Sequence, residues 1–216
     1  MSFLLLFVRK LSIILCMALF VGTLAVAEEL PPDVLINKIT ADVLEAVHSD
    51  SELRAGDRQK VLALAEVKVL PHMDFARMAR LAMGKHWRAA TPDQREAVTQ
   101  EFRQLLIRTY SNAIGSYKGQ TLVVEPLHME PADTDVKVQS KYVRPDSVPL
   151  SVDYAMWKTP EGWKIYDVSV EGVSLAMTYR SEFSEEIKRS GLTGLLAKLR
   201  EKNLQSRHVD KSRPVS

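Results

Sequence analysis

Residues 149–170 read PLSVDYAMWKTPEGWKIYDVSV, and this stretch decides the fold. Apolar and polar side chains alternate on both sides of the Thr-Pro-Glu-Gly sequence at residues 159–162. Alternation with a period of two is typical of a strand with one buried face, and Pro and Gly between two such runs indicate a turn. The pattern predicts a β-hairpin whose apolar face carries Leu150, Val152, Tyr154 and Met156 from one strand and Tyr166, Val168 and Val170 from the other.

Two further strands are predicted before this hairpin. Residues 134–143 alternate in the same way, with Val136, Val138 and Tyr142 on one face, and residues 121–129 are rich in β-forming side chains. Four successive strands with short connections favour an antiparallel meander, because parallel strands need long crossover connections. We therefore expect a curved four-stranded antiparallel sheet that is apolar on one side.

Helical patterns lie on both sides of the predicted sheet. The strongest helix start is the capping box at residues 91–94, Thr-Pro-Asp-Gln, which has Pro at the first helical position. Shorter helices are predicted over residues 33–47, 57–69 and 74–83, and C-terminal helices from Leu175 onward. This order predicts an α+β fold in which helices cover one face of the sheet. We expect one domain over residues 28–202 and a flexible tail over residues 203–216, where no apolar stripe continues.

The first 27 residues have the three parts of a secretory signal peptide. Arg9-Lys10 supplies the positive charge, residues 11–21 form a short apolar run, and Ala25-Val26-Ala27 fits a signal-peptidase site. We expect cleavage after Ala27. An uncleaved membrane anchor is the alternative, but the apolar run is short for a membrane span. The single cysteine, Cys16, lies in this segment, so the exported chain would contain no disulfide.

The charge of the chain argues against nucleic acid as a partner. The chain has 29 basic and 27 acidic residues, a net charge of +2, and residues 1–27 hold two of the basic residues and no acid. The exported part is therefore balanced. A balanced chain has no global electrostatic attraction for a phosphate backbone.

Motifs for catalysis or metal binding are weak. The five histidines, at positions 48, 72, 86, 128 and 208, are not paired at ligand spacing, and the sequence has no Gly-x-Ser-x-Gly motif. The residues therefore support neither a metal site nor a nucleophilic catalytic site. Acid–base chemistry stays open, because Asp153 and Asp167 lie on strands beside Tyr154 and Tyr166. The alternation, however, places both acids opposite the apolar face, where they would meet solvent.

The hairpin and its surroundings also resemble a known family. Residues 162–175 read GWKIYDVSVEGVSL and are followed by Tyr179-Arg180 and Phe183. Residues 81–87, LAMGKHW, precede the capping box, and Val152-Asp153-Tyr154 precedes the last strand. Together these features resemble the signature of the MlaC family, also called the toluene-tolerance auxiliary family, over roughly residues 33–202.

The resemblance implies a function that the residues alone do not reach. Members of the family are periplasmic phospholipid-binding proteins with a fold similar to the nuclear-transport-factor-like cone, and they hold acyl tails between sheet and helices. The implied partners are phospholipid, an outer-membrane lipoprotein–porin complex and an inner-membrane ABC transporter complex, and the implied role is to maintain outer-membrane lipid asymmetry. The resemblance implies no metal and no organic cofactor, with phospholipid as the bound ligand. The alternatives are a periplasmic enzyme on a similar cone, isomerase- or hydrolase-like, and a structural subunit of an envelope complex.

With this resemblance, the apolar face of the meander becomes a candidate lipid slot. We expect its side chains to face the apolar stripe of the long helix, with a few further residues at the ends. The candidate lining consists of Val138, Val152, Tyr154, Val168 and Val170 on the sheet, Phe102, Leu106 and Tyr110 on the helix, and Met78, Leu81, Val173 and Met177 at the ends.

Overall fold

A computed structural model of the 216-residue chain describes residues 29–115, 121–144 and 148–211. These residues form an α+β fold, as predicted, with helices before and after an antiparallel sheet. The helices are α1 (Pro32–Ser49), α2 (Ser51–Arg54), α3 (Arg58–Lys68), α4 (Phe75–Met83), α5 (His86–Ala89), α6 (Pro92–Gly115) and α7 (Leu175–Lys211), with a 3-10 turn at Leu70–His72. The strands are β1 (Thr121–Val124), β2 (Asp135–Val143), β3 (Leu150–Thr159), β4 (Gly162–Val170) and β5 (Val173–Ser174).

Side-chain caps set where most of the N-terminal helices begin. The carboxylates of Asp50, Asp57 and Asp74 each accept a backbone N–H from the first turn of the following helix. The capping box at α6 is confirmed: the backbone N–H of Thr91 donates to Gln94 Oε1 at 3.0 Å, and that of Gln94 donates to Thr91 Oγ1 at 3.2 Å. Local sequence therefore fixes the start of the long helix.

The sheet has the predicted antiparallel order, β1-β2-β3-β4-β5, but five strands where four were expected in the described part of the chain. The fifth strand is only two residues long, and it pairs Val173 with Val170 after the turn at Glu171-Gly172. The register is interrupted once, between Ala155 and Met156, whose β4 partners are Asp167 and Ile165. Tyr166 is the extra residue of this β-bulge, which reverses the face on which it points.

The described apolar side chains form two main cores. The sheet core packs α1 against the inner face of the sheet. The helical core packs α4, α6 and α7 together and contains no strand residue. Among the described residues, Met73 alone packs against both, and it also forms a β-bridge with Ile165.

The C-terminal helix corrects the expected boundary of the tail. α7 is broken at Gly191, where φ is 69° and ψ is −178°, and it then continues to Lys211. Asn203, predicted to begin a flexible tail, is buried, and its Nδ2 donates to the Glu101 carbonyl at 3.0 Å. Contact with α6 therefore extends the packed part of α7 to Asn203, beyond the expected end of the domain at residue 202.

Within residues 29–115, 121–144 and 148–211, no helix is both long enough and apolar enough to cross a bilayer. The predicted signal peptide, residues 1–27, lies outside the residues that the structure describes.

Candidate functional site

One end of the inner face of the sheet is closed. Met156 and Ile165 are cross-strand partners and are almost fully buried, as is Trp163. The side chains that cover them come from α1 and are Leu35, Ile36 and Ile39. The apolar positions of α1 recur every four residues, which predicts a buried helix face but does not indicate that this face covers the sheet.

The other end of the same face is open. Exposure increases along β3 and β4. The cross-strand pair Met156 and Ile165 is buried, whereas the pair Val152 and Val170 is half-buried. Val173 pairs with Val170 and so points to the same face, yet it is 61% exposed. Met177, four residues farther, is 46% exposed. The inner face is therefore closed at one end and accessible at the other, and we call its accessible apolar part the slot.

The twelve predicted lining residues divide into three groups. Four lie in the closed cores: Met78, Phe102, Leu106 and Val138. Five are half-buried: Leu81, Val152, Tyr154, Val168 and Val170. Three are exposed: Tyr110, Val173 and Met177.

We expected the sheet to pack directly against the apolar stripe of α6. This is wrong for the predicted lining residues that lie in the two cores. Phe102 and Leu106 pack in the helical core, and Phe102 makes edge contacts with Tyr179 and Phe183 at centroid distances of 5.0 and 5.2 Å. Val138 belongs to the sheet core instead. The reason is that α1 covers the closed end of the sheet, while α4 and α7 pack against the apolar side chains of α6.

Two tyrosines of the predicted lining have strongly perturbed hydroxyls. Burial raises the pKa of Tyr154 to about 12, against the opposing effect of a hydrogen bond with Ser140. Burial, together with the Tyr179 hydroxyl, also raises the pKa of Tyr110 to about 12. Both phenols therefore stay protonated near neutral pH and are poorly suited to act as general bases.

The two strand acids are buried, not solvent-exposed as the alternation predicted. They do lie on the outer face, but Asp153 and Asp167 are only 6% and 8% exposed. Asp167 accepts the backbone N–H of Ala176 at 3.1 Å and a hydroxyl hydrogen bond from Ser174, so it caps the first turn of α7. Asp153 forms an ion pair with Lys137 at 2.5 Å. Strand β5 and the start of α7 explain the burial of Asp167.

Tyr166 also departs from the prediction, which placed it on the apolar face. Because of the bulge, its ring lies on the outer face, where its hydroxyl donates to Asp135 Oδ1 at 2.6 Å. The Arg77 guanidinium lies over the Tyr166 ring at 3.9 Å and over the Trp157 ring at 4.7 Å, and it pairs with Asp135. Trp157 donates to Asp74, the cap of α4, at 2.9 Å. This network attaches the start of α4 to the outer face of the sheet.

The slot contains apolar side chains and neutral hydroxyls rather than a set of metal ligands. No group of three His, Cys, Asp or Glu side chains in the described ranges is arranged to hold a metal ion. What the geometry offers is an apolar surface that is accessible from one end.

The sequence matches the MlaC protein family over residues 37–201, which is most of the chain. The chain belongs to the MlaC family. This agrees with the resemblance drawn from the hairpin motif, and the matched range contains all of the slot residues.

Individual relatives agree with this assignment. The chain is 24% identical over 169 residues to the toluene tolerance protein ttg2D of Pseudomonas putida, covering 78% of each chain. It is 19% identical over 185 residues to the intermembrane phospholipid transport system binding protein MlaC of Haemophilus influenzae, covering 84% of this chain and 86% of that protein.

A solved structure is also similar. It is a phospholipid-binding protein from Ralstonia solanacearum in complex with a phospholipid, with a TM-score of 0.74 and 38% identity, and the match covers 81% of this chain and 98% of that one.

Proposed function

We propose that this protein is a periplasmic carrier that binds phospholipid by its acyl tails. The observation that carries the proposal is the one-ended slot: the inner face is sealed at Met156 and Ile165 and accessible at Val173. The phospholipid complex of the Ralstonia solanacearum relative, at 38% identity, supports the same ligand class. The lining that we assign to the tails is the accessible group: Leu81, Tyr110, Val152, Tyr154, Val168, Val170, Val173 and Met177.

The energetics fit a carrier. Shielding an acyl tail from water is worth ~0.8 kcal/mol per methylene, so a two-tailed lipid with about thirty methylenes gains on the order of 20 kcal/mol. A bilayer offers a similar gain. Exchange between protein and membrane can therefore be nearly balanced, which requires a dry apolar slot and little chemistry at the headgroup.

We further propose that the lipid moves between an outer-membrane lipoprotein–porin complex and an inner-membrane ABC transporter complex, and that this transfer maintains outer-membrane lipid asymmetry. The family membership and the relative described as an intermembrane phospholipid transport system binding protein support this role. The proposal includes no cofactor. It also includes no catalytic step, because Asp153 and Asp167 hold structural contacts and the half-buried Tyr154 stays protonated.

The direct test is lipid analysis of the processed protein. The chain is expressed with its own residues 1–27, purified from the periplasmic fraction, extracted with organic solvent and analysed by mass spectrometry. We expect mature protein that begins at Glu28 and contains co-purified phospholipid. Protein without phospholipid, or protein retained in the membrane with residues 1–27, would contradict the proposal.

A further inference from the structure

The rim of the open end carries charge as well as apolar surface. Val173 and Met177 are exposed where β5 leads into α7, and Met177 Sδ lies 3.3 Å from Nη1 of Arg180. Arg180 in turn lies against the turn that ends α4, since a Cβ atom placed on Gly84 would be 2.7 Å from Arg180 Nε. An apolar rim, formed by Val173 and Met177, is thus contiguous with an exposed guanidinium.

Two lysines continue this surface beside His86. His86 Nε2 lies 3.2 Å from Ser184 Oγ, one turn beyond Arg180 on α7. Lys85 directly precedes His86 in the chain, and Lys188 lies one further turn beyond Ser184 on α7. Burial, with the charges of both lysines, lowers the pKa of His86, so the ring is neutral near pH 7. We call the surface formed by Lys85, His86, Arg180 and Lys188 the basic flank.

The three cations of the basic flank, Lys85, Arg180 and Lys188, form no ion pair within the described ranges. The exposed Glu185 lies three residues before Lys188 on α7 and is the nearest acid to it in the chain that is exposed. Elsewhere many surface cations are paired with acids: Lys38, Lys60, Lys68, Arg77, Lys137, Lys141, Lys158, Lys198 and Arg200. Uncompensated charge beside exposed apolar side chains is typical of a binding surface.

We propose that the basic flank and the apolar rim together dock a protein partner that carries carboxylates beside its own apolar opening. The inference rests on the proposed carrier function and names the face through which transfer occurs. A lipid that leaves the slot at its open end passes Val173 and Met177. A partner seated on this surface would receive the acyl tails without exposing them to water. Charge pairs across the contact would set the orientation of the two openings and speed their encounter.

A bilayer is a poorer match for the same surface. Proteins that bind membrane surfaces combine many basic residues with inserted aromatic or long aliphatic side chains. Here the rim consists of one Val and one Met, and the strongly exposed apolar side chains of the described ranges include no Trp or Phe. The small apolar rim and the three flank cations therefore fit a folded protein partner whose acidic side chains pair with these cations.

The test measures binding of the full processed chain to the two purified complexes named above. Two double variants each reverse the charge of two of the three flank cations: Lys85→Glu with Arg180→Glu, and Lys85→Glu with Lys188→Glu. The second pair spares the contact of Arg180 with Gly84 if the first disturbs folding. The matched control is Lys38→Glu with Lys158→Glu, which makes the same charge change at two other exposed, ion-paired lysines. Affinity is measured by biolayer interferometry at low and high salt, and bound phospholipid by mass spectrometry.

We expect both basic-flank variants to bind at least one complex about tenfold or more weakly, with a smaller salt dependence, and the control to stay within about twofold of wild type. Bound phospholipid should be unchanged in all of them. Unchanged affinity of the folded variants would overturn the docking surface. So would binding of wild type to phosphatidylglycerol vesicles but to neither complex. Both outcomes leave the carrier function intact, whereas wild-type protein without phospholipid would overturn that function itself.

Discussion

Val170 and Val173 are cross-strand partners on the same face of the sheet, yet Val170 is half-buried and Val173 is 61% exposed. The slot therefore opens to solvent between these two side chains. Val170 and Val173 belong to the slot, whereas Met156 on the same face fills a closed core, a distinction that alternation along the strands does not make.

Acidic substitutions along the sheet should distinguish these surfaces. Val170→Glu and Val152→Glu place a carboxylate where we position acyl tails, and removing that charge from water is costly. We expect folded protein with at least about tenfold less bound phospholipid. Circular dichroism and lipid mass spectrometry measure the two properties on the same sample.

Two valines of the same sheet serve as controls. Val138→Glu changes a fully buried residue of the sheet core and should unfold the protein. Val123→Glu changes an exposed residue of β1 that pairs with Lys141 on the outer face, and it should keep both fold and lipid. Folded Val170→Glu protein with full lipid would show that the tails lie elsewhere.

Gly84 should tolerate alanine much less well than Gly172. At Gly84, φ is 55° and ψ is −125°, a conformation that glycine alone adopts readily, and an added Cβ would lie 2.7 Å from Arg180 Nε. We expect Gly84→Ala to cost about 2–3 kcal/mol of unfolding free energy. Gly172 also has a positive φ, 77°, but no heavy atom lies within 4 Å of its added Cβ, so alanine there should cost about 1 kcal/mol.

Urea unfolding measures both alanine variants. Adding Arg180→Ala to Gly84→Ala should recover the steric part of the loss and leave the backbone part. Equal costs at the two glycines would mean that contact with Arg180 adds nothing.

The stacking of Arg77 should require a planar cation. Its guanidinium lies over the rings of both Trp157 and Tyr166. Each cation–π contact contributes about 0.5–1 kcal/mol at a partly exposed site. Arg77→Ala should therefore lower the unfolding free energy by about 1–2 kcal/mol. Arg77→Lys should recover little, because an ammonium group neither stacks nor pairs in the same geometry.

A double-mutant cycle isolates the Arg77 contact with Tyr166. Thermal or urea unfolding of Arg77→Ala, Tyr166→Leu and the double variant should give a coupling of about 0.5–1 kcal/mol. Full rescue by lysine, or additive losses in the cycle, would contradict the stacking.

Acid should weaken the contact across the break in α7. The hydroxyl of Ser190 donates to Glu186, and Lys198 and Arg189 pair with the same carboxylate, so the pKa of Glu186 is held below its ordinary value of 4.5. A lowered folded-state pKa stabilises the protein fully above pH 4.5, and this stabilisation is lost as the pH falls through the lower value.

The variant Glu186→Gln should therefore lose stability less steeply than wild type as the pH falls below 4.5, as followed by melting temperature. The control is Glu185→Gln, an exposed neighbour on the same helix. An acid dependence identical in wild type and Glu186→Gln would mean that this carboxylate does not stabilise the helix pair.

The elements that sequence predicted best are those fixed by local chemistry. The capping box at Thr91 and Gln94 forms as expected, because its hydrogen bonds join residues three apart. The alternation of β3 and β4 likewise gives the hairpin and most of its facing residues. Such patterns need no information from the rest of the chain.

The failures concern features that depend on distant residues or on a single inserted one. No residue type marks the bulge at Tyr166, yet one extra residue reverses the face on which a side chain points. Asp167 is buried because β5 and the start of α7 pack against it, and there it accepts the N–H of Ala176, nine residues away. The division of the slot from the closed cores depends on where α1 packs, and α1 lies more than a hundred residues before β4 in the chain.

The near-separation of the two cores has a consequence for local stability. Since Met73 alone among the described residues packs against both, unfolding of one core removes little apolar contact from the other. Amide hydrogen exchange should then reveal two cooperative units, one comprising α1 with the sheet and one comprising α4, α6 and α7. A ligand that touches both would bind only when both units are closed, and so would couple their opening equilibria.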